Sequence, residues 1–404
     1  MVTFVDAKTL TGSSTTFSVS NRSDQKIDAS QFVVFPGLID PHVHFRTPGL
    51  QEKEDWQTGA QAAVRGGYTT VFDMPNTIPP TITADLLRDK KELIDSQLQA
   101  CHIPLRYKLF FGADKNHLDE IPKITHDAIG IKVFMGCSTG NLVIDDDESL
   151  HAVFAIAAQQ NLIVAVHAED EHLINLRKQQ FAHAKNYSGH SEIRNEEVAA
   201  VAVEKAINLC RQYGTRLYIL HSSTIDEINL IRDAKKLGLP VFAETTPHHL
   251  FLNTSFYKDL KGKAVVNPPL RDEKHQIALW EAVIDGTIDT IGSDHAPHLP
   301  AEKQREYGSC PSGMPGIETT LPLLLNACNE GNISLSKIIE LTYTNPKSIF
   351  NLPTNSDKVL VDLNLTQEVK NANLKTKCGW SSFEGKTLKG WPKYTIIENQ
   401  VFSF

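Results

Sequence analysis

Eight short apolar runs recur along the chain, and helical patterns separate most of them. The first, Phe35-Pro36-Gly37-Leu38-Ile39, leads into Asp40-Pro41-His42-Val43-His44-Phe45-Arg46. The others are Tyr68–Met74, Leu105–Phe111, Ala128–Met135, Leu162–His167, Arg216–His221, Leu239–Thr245 and Thr287–Asp294. Strands buried on both faces read as near-continuous apolar runs, and their alternation with helices is the pattern of a parallel sheet.

The intervening helices carry start and stop signals. Lys53–Arg65 places Trp56, Ala60, Ala63 and Val64 at helical spacing and ends at Gly66-Gly67. Glu148–Gln160 is a second amphipathic stretch. Asn195 can cap a helix that has Glu196 and Glu197 in its first turn and Gly214 past its end. Thr224 and Glu227 form a capping-box signature for a helix that stops at Gly238. Eight such units predict an α/β fold, a (β/α)8 TIM-like barrel over residues 36–350. A doubly wound sheet is the alternative, but the Gly-rich phosphate turn expected after its first strand is absent.

The two chain ends differ from the middle. Residues 1–35 are polar, with strand-like pieces at Val2–Val5, Thr16–Val19 and Phe32–Phe35. Residues 351–404 add Lys358–Leu365, Cys378–Phe383 and Tyr394–Phe404, separated by Gly-containing turns. Neither end is long enough for a core of its own, so the two are expected to pack together as a small β-sandwich domain.

Composition narrows the partners. The 404 residues carry 40 basic and 48 acidic side chains, a net charge of −8, with no basic block. Nucleic acid and acidic membrane surfaces are therefore poor partners. No run of 18 apolar residues and no secretory leader is read, and six scattered cysteines (Cys101, Cys137, Cys210, Cys310, Cys328, Cys378) show no metal or redox spacing. A small-molecule enzyme in a reducing cytoplasm is the expectation.

Polar residues gather at the carboxyl ends of the runs, where barrel enzymes keep their active sites. On a strand, His42, His44 and Arg46 would share one face. Asn76 follows the second run, and Lys132 lies near the end of the fourth. His167 ends the fifth, His221 the sixth and Asp294 the eighth. Four histidines and an aspartate on one face suit a divalent metal, and a guanidinium beside them suits an anion. An ammonium at Lys132 would be opposed by burial and by nearby cations. A neutral amine there can instead take up carbon dioxide as a carbamate, a bridging carboxylate between two metals.

The motifs Pro41-His42-Val43-His44-Phe45-Arg46, Asp73-Met74-Pro75-Asn76-Thr77, Gly130-Ile131-Lys132-Val133-Phe134, Val166-His167-Ala168-Glu169, Leu220-His221-Ser222-Ser223, Asn267-Pro268-Pro269-Leu270-Arg271 and Ser293-Asp294-His295-Ala296-Pro297-His298 resemble the amidohydrolase superfamily. Within it they resemble the cyclic-amide hydrolases of the dihydroorotase branch. The resemblance implies one metal on His42, His44 and Asp294, a second on His167 and His221, and carboxylated Lys132 between them. Zinc suits these ligands, though manganese or cobalt could occupy the same site. It also implies attack by a metal-held hydroxide on a ring amide, with Asp294 as the catalytic acid and base, and a homodimer.

The same resemblance makes Arg46, Asn76, Asn267 and His298 the substrate-binding residues: Arg46, Asn76 and His298 for the carboxylate that dihydroorotate carries beside its ring, and Asn267 near the ring. Allantoinase and dihydropyrimidinase or hydantoinase activities stay open as alternatives, as does a catalytically silent structural partner. Two loops are candidates to cover the pocket: Met135–Asn141, with Ser138 and Thr139 able to reach substrate, and Gly308–Thr320 with Gly313, Pro315 and Gly316.

Overall fold

Strand alternation explains how the two chain ends join. The computed structural model describes residues 1–20, 24–137, 142–184 and 186–404. Val2–Lys8 (β1), Ser14–Val19 (β2), Gln25–Asp28 (β3) and Phe32–Pro36 (β4) open the chain. The barrel strands follow in order: Leu38–Val43 (β5), Tyr68–Asp73 (β6), Arg106–Gly112 (β7), Gly130–Phe134 (β8), Val164–His167 (β9), Leu217–Ile219 (β10), Val241–Thr245 (β11) and Thr290–Ile291 (β12). Lys358–Glu368 (β13), Thr387–Ile397 (β14) and Gln400–Ser403 (β15) close it.

The terminal strands form one seven-stranded sheet in the order β15-β14-β13-β4-β1-β2, with β3 beside β1. β4 and β13 are its antiparallel seam, pairing Phe35 with Val359 and Val33 with Val361. Successive residues point to opposite faces. Val33, Phe35, Val359 and Val361 therefore enter the barrel's core, whereas Phe32 and Leu360 join Val2, Phe4, Val19 and Ile396 on the other side. The sheet is thus fixed to the barrel by the same strands that hold its own core.

All eight apolar runs are strands of one parallel sheet, paired in sequence order from β5 to β12. A parallel bridge between Val43 and His295 brings its two edges together. The expected helices are present as Trp56–Arg65, Asp147–Gln159, Glu196–Tyr213 and Ile225–Lys236. The first begins later than its apolar pattern because Asp55 caps it, accepting from the Thr58 amide. Thr224 and Glu227 make the capping box in both directions. No helix among the described residues is long and apolar enough to cross a membrane.

Three local expectations differ from the structure. Cys378–Phe383 is not a strand. Gly379 sits at φ +65° and Ser381 Oγ accepts from the Phe383 amide, which folds the segment into turns that bury Cys378, Trp380 and Phe383 beside Met314 and Leu323. Tyr394–Phe404 is a hairpin, because Glu398 and Asn399 both have positive φ and turn β14 back onto β15. The first barrel strand stops at Val43, so Arg46 is not on it, and its backbone is left-handed at φ +60°.

Candidate metal centre

Five of the eight strands deliver the metal-site candidates to the same small volume. His42 lies on β5 and His44 just past its end, while Asp294 follows β12 in a left-handed conformation at φ +44°. Nε2 of His42 and Nε2 of His44 are each 3.2 Å from Asp294 Oδ1. Ligand atoms of these three buried residues all lie within 4.8 Å of one another, a donor set that fits one divalent ion. Across the cleft, His167 Nδ1 faces His221 Nε2 at 2.9 Å. Lys132, on β8, lines the same cleft, its Nζ 4.5 Å from the Phe134 ring centroid. All six residues line one cleft, together with Arg46, Asn76, Asn267, Ser312 and Gly313.

Charge in the cleft suits cation binding. Burial would raise the Asp294 carboxyl, but His42 and His44 hold it well below the carboxylate range. Burial drives His44 down to about 3 against the pull of Asp294, and burial beside His167 and Lys132 puts His221 well below its ordinary value. These imidazoles are therefore neutral, the form that binds metal. Burial also brings the Lys132 amine down to about 7, although Asp294 and Glu244 oppose the shift.

A model of the amidohydrolase family matches residues 33–397. The chain belongs to the amidohydrolase family. Dihydroorotases from Halobacterium salinarum and Methanosarcina acetivorans are 37% and 36% identical to it. The first alignment covers 92% of this chain and 86% of that protein, the second 95% and 84%. The L-hydantoinase (dihydropyrimidinase) of Arthrobacter aurescens has the same fold at a TM-score of 0.91 and 27% identity, covering 100% of this chain and 96% of that one. This amidohydrolase is a metal-dependent, dihydroorotase-like hydrolase of cyclic amides.

Two buried carboxylates behind the histidines were given no role on the sequence alone. Glu244, on β11, places Oε1 2.7 Å from His42 Nδ1, and the Tyr218 hydroxyl donates to its Oε2 at 2.9 Å. Glu169 Oε2 is 2.8 Å from His167 Nε2 and pairs with the Arg194 guanidinium. Burial would raise Glu169, but Arg194 and His167 bring it to about 2. Each carboxylate accepts the ring N–H on the far side, which turns the other nitrogen toward the cleft. The signal for Glu244 was present: an acid ending an apolar run, in Phe242-Ala243-Glu244-Thr245.

The expected substrate residues of the amidohydrolase fall into two groups. Arg46, Asn76 and Asn267 line the cleft. Asn76 Oδ1 also lies 2.8 Å from His44 Nδ1, so it orients a ligand, and Asn267 Oδ1 meets His190 Nε2 at 2.8 Å. His298 instead stands behind Arg46, its Nε2 3.1 Å from Nη2, with Lys53 Nζ 3.2 Å from its Nδ1. Of the two candidate covering loops, Gly308–Thr320 contributes Ser312 and Gly313 to the cleft. Ser138–Asn141, including Ser138 and Thr139, lie outside the described residues.

Proposed function

We propose that the protein is a dihydroorotase, interconverting N-carbamoyl-L-aspartate and L-dihydroorotate in pyrimidine biosynthesis. The observation that carries this reading is Arg46. Its side chain is only 2% exposed, yet no carboxylate of the described residues lies within ion-pair distance of it. Its Nε donates to the Pro297 carbonyl and Nη2 meets His298. Burial lowers it to about 10, so it keeps its charge at neutral pH. A buried guanidinium in a substrate cleft calls for an anion, and a bidentate carboxylate matches its fork. Dihydroorotate supplies one, whereas hydantoin, dihydrouracil and allantoin do not. The dihydroorotase relatives support the same choice.

His42, His44 and Asp294 would hold one divalent ion, and His167 with His221 a second. Lys132 would join them after its neutral amine adds carbon dioxide, forming an N–C bond and releasing one proton to leave a carbamate. Bound cations, with zinc the best match to these donors, would polarise the ring carbonyl and lower the pKa of water. Asp294 carries the proton, taking it from the attacking water onto its carboxylate and delivering it to the departing ring nitrogen. In the cyclising direction protonated Asp294 gives its proton to the oxygen that leaves as water. Arg46 and Asn76 hold the substrate carboxylate, and Asn267 faces the ring.

The test is a comparison of zinc-loaded protein on dihydroorotate, hydantoin, dihydrouracil and allantoin by ultraviolet absorbance. Dihydroorotate should be preferred by roughly 10- to 150-fold in kcat/KM, the worth of a buried charge-assisted pair. Preference for an uncharged ring would replace this reading with a hydantoinase or dihydropyrimidinase activity.

A further inference from the structure

Asp294 adopts φ +44°, a conformation that costs a residue with a side chain on the order of 1–2 kcal/mol and persists only where its surroundings impose it. The residue that follows it is held from several directions. His295 is the crossing point of three backbone segments: it bridges Val43 and Met314, and its carbonyl accepts from the His44 amide at 2.8 Å. Its amide donates to Ser293 Oγ at 3.1 Å. Its ring is fully buried, packed edge-on against Phe45 at 5.7 Å.

The ring's two nitrogens are each assigned by their partners. Nδ1 accepts from the Gly316 and Ile317 amides, at 3.2 and 3.5 Å. The proton is therefore on Nε2, which donates to Glu54 Oε2 at 3.2 Å. Glu54 is itself fully buried and held from the far side. Its carboxylate accepts from the Lys377 amide at 3.2 Å and from the hydroxyls of Thr58 and Thr376. Glu54 thus ties the loop that carries Asp294 to the helix beginning at Trp56 and to the segment preceding β14.

We propose that Glu54 is a positioning residue: through His295 it holds Asp294 and His44 in the arrangement that binds metal. Glu54 touches neither the cleft nor any of the metal-binding side chains, and acts only through His295. The inference rests on the assignment of Asp294 and His44 as metal ligands. It does not depend on which cyclic amide is the substrate.

The experiment is zinc titration of the metal-free protein, with thermal unfolding of the same metal-free samples. Glu54→Gln keeps the side-chain volume, and with its amide oxygen at the Oε2 position it can still accept from His295, Thr376 and Lys377, but it removes the negative charge that draws the His295 proton. Zinc should bind about tenfold more weakly, as for other residues behind metal ligands, with the metal-free unfolding midpoint within about 3 °C of wild type. Thr376→Val, which removes a single hydrogen bond to Glu54, should shift zinc affinity the same way by a smaller factor. It decides the matter if Glu54→Gln does not fold. Wild-type zinc affinity in the variant that folds overturns the proposal. So does a loss of affinity matched by a collapse of the metal-free midpoint, the signature of a role in stability alone. Failure of wild-type protein to turn over dihydroorotate would overturn the substrate reading and leave this comparison intact.

Discussion

Glu244 Oε1 lies 2.7 Å from Nδ1 of His42, and neither side chain is exposed to solvent by more than 1%. The pair sets the tautomer of His42: a carboxylate accepts only, so the ring proton sits on Nδ1 and Nε2 is turned toward Asp294. Burial opposes protonation of His42, but Asp294 and Glu244 together lift its pKa above the ordinary value. A cation in the cleft would take the place of that second proton. The approach is possible because Gly292 has no side chain, since a Cβ there would stand 2.4 Å from Glu244 Oε2 and 2.8 Å from His42 Cβ.

Replacing Glu244 by Gln should therefore weaken metal binding without unfolding the barrel. The amide keeps the volume and can still meet Tyr218, but it no longer draws the His42 proton by charge. A loss of about 10- to 100-fold in zinc affinity is expected. Gly292→Ala should act in the same direction by displacing the carboxylate. Zinc titration of the two metal-free variants checks both, and wild-type affinity in each would show that Glu244 is a bystander.

The barrel was legible because its signal repeats. Eight apolar runs with helices between them leave few other arrangements, and all eight became strands. The metal-site candidates that meet in the cleft were legible because they lie at or near the ends of runs. What escaped has two physical causes. Glu244 and Glu169 act from behind the histidines: 202 residues separate Glu244 from His42, and Glu169, though only two residues past His167, lies outside the apolar run that ends there. Backbone departures from regular geometry were the other cause. Arg46 reaches the cleft as expected, but through a left-handed turn rather than by strand alternation. Cys378–Phe383 has the apolar content of a strand but is folded by Gly379 and by the hydrogen bond that Ser381 accepts.

Arg46→Ala separates binding from chemistry. A hydrogen bond to a charged group contributes about 1.5–3 kcal/mol, so KM for dihydroorotate should rise by roughly 10- to 150-fold. The rate constant kcat should fall much less, because in the proposed reading the guanidinium holds the carboxylate and not the reacting carbonyl. Arg46→Lys should restore only part of the affinity, since an ammonium lacks the planar fork. Steady-state kinetics on the three proteins provide the check. An unchanged KM in Arg46→Ala would remove the reason for preferring a carboxylate-bearing ring.

Lys132 makes the metal-free protein sensitive to pH on the alkaline side. Its amine titrates near 7 in the folded state because it is buried, against about 10.4 for a lysine in an unfolded chain. Between those values the unfolded chain binds a proton that the folded protein does not. Stability of the metal-free protein should therefore rise with pH from about 7 toward 10, by up to about 1.4 kcal/mol per unit from this one group. Lys132→Met, similar in length and uncharged, should remove that slope and be the more stable protein at pH 7. The same variant should lose carbamate formation and with it the second metal. Urea unfolding of both metal-free proteins across pH 7–10 measures the slope, and metal analysis after zinc loading measures the second effect. Parallel pH profiles would mean that the folded site keeps Lys132 protonated. An amine in that state cannot add carbon dioxide, and the proposed bridge would fall with it.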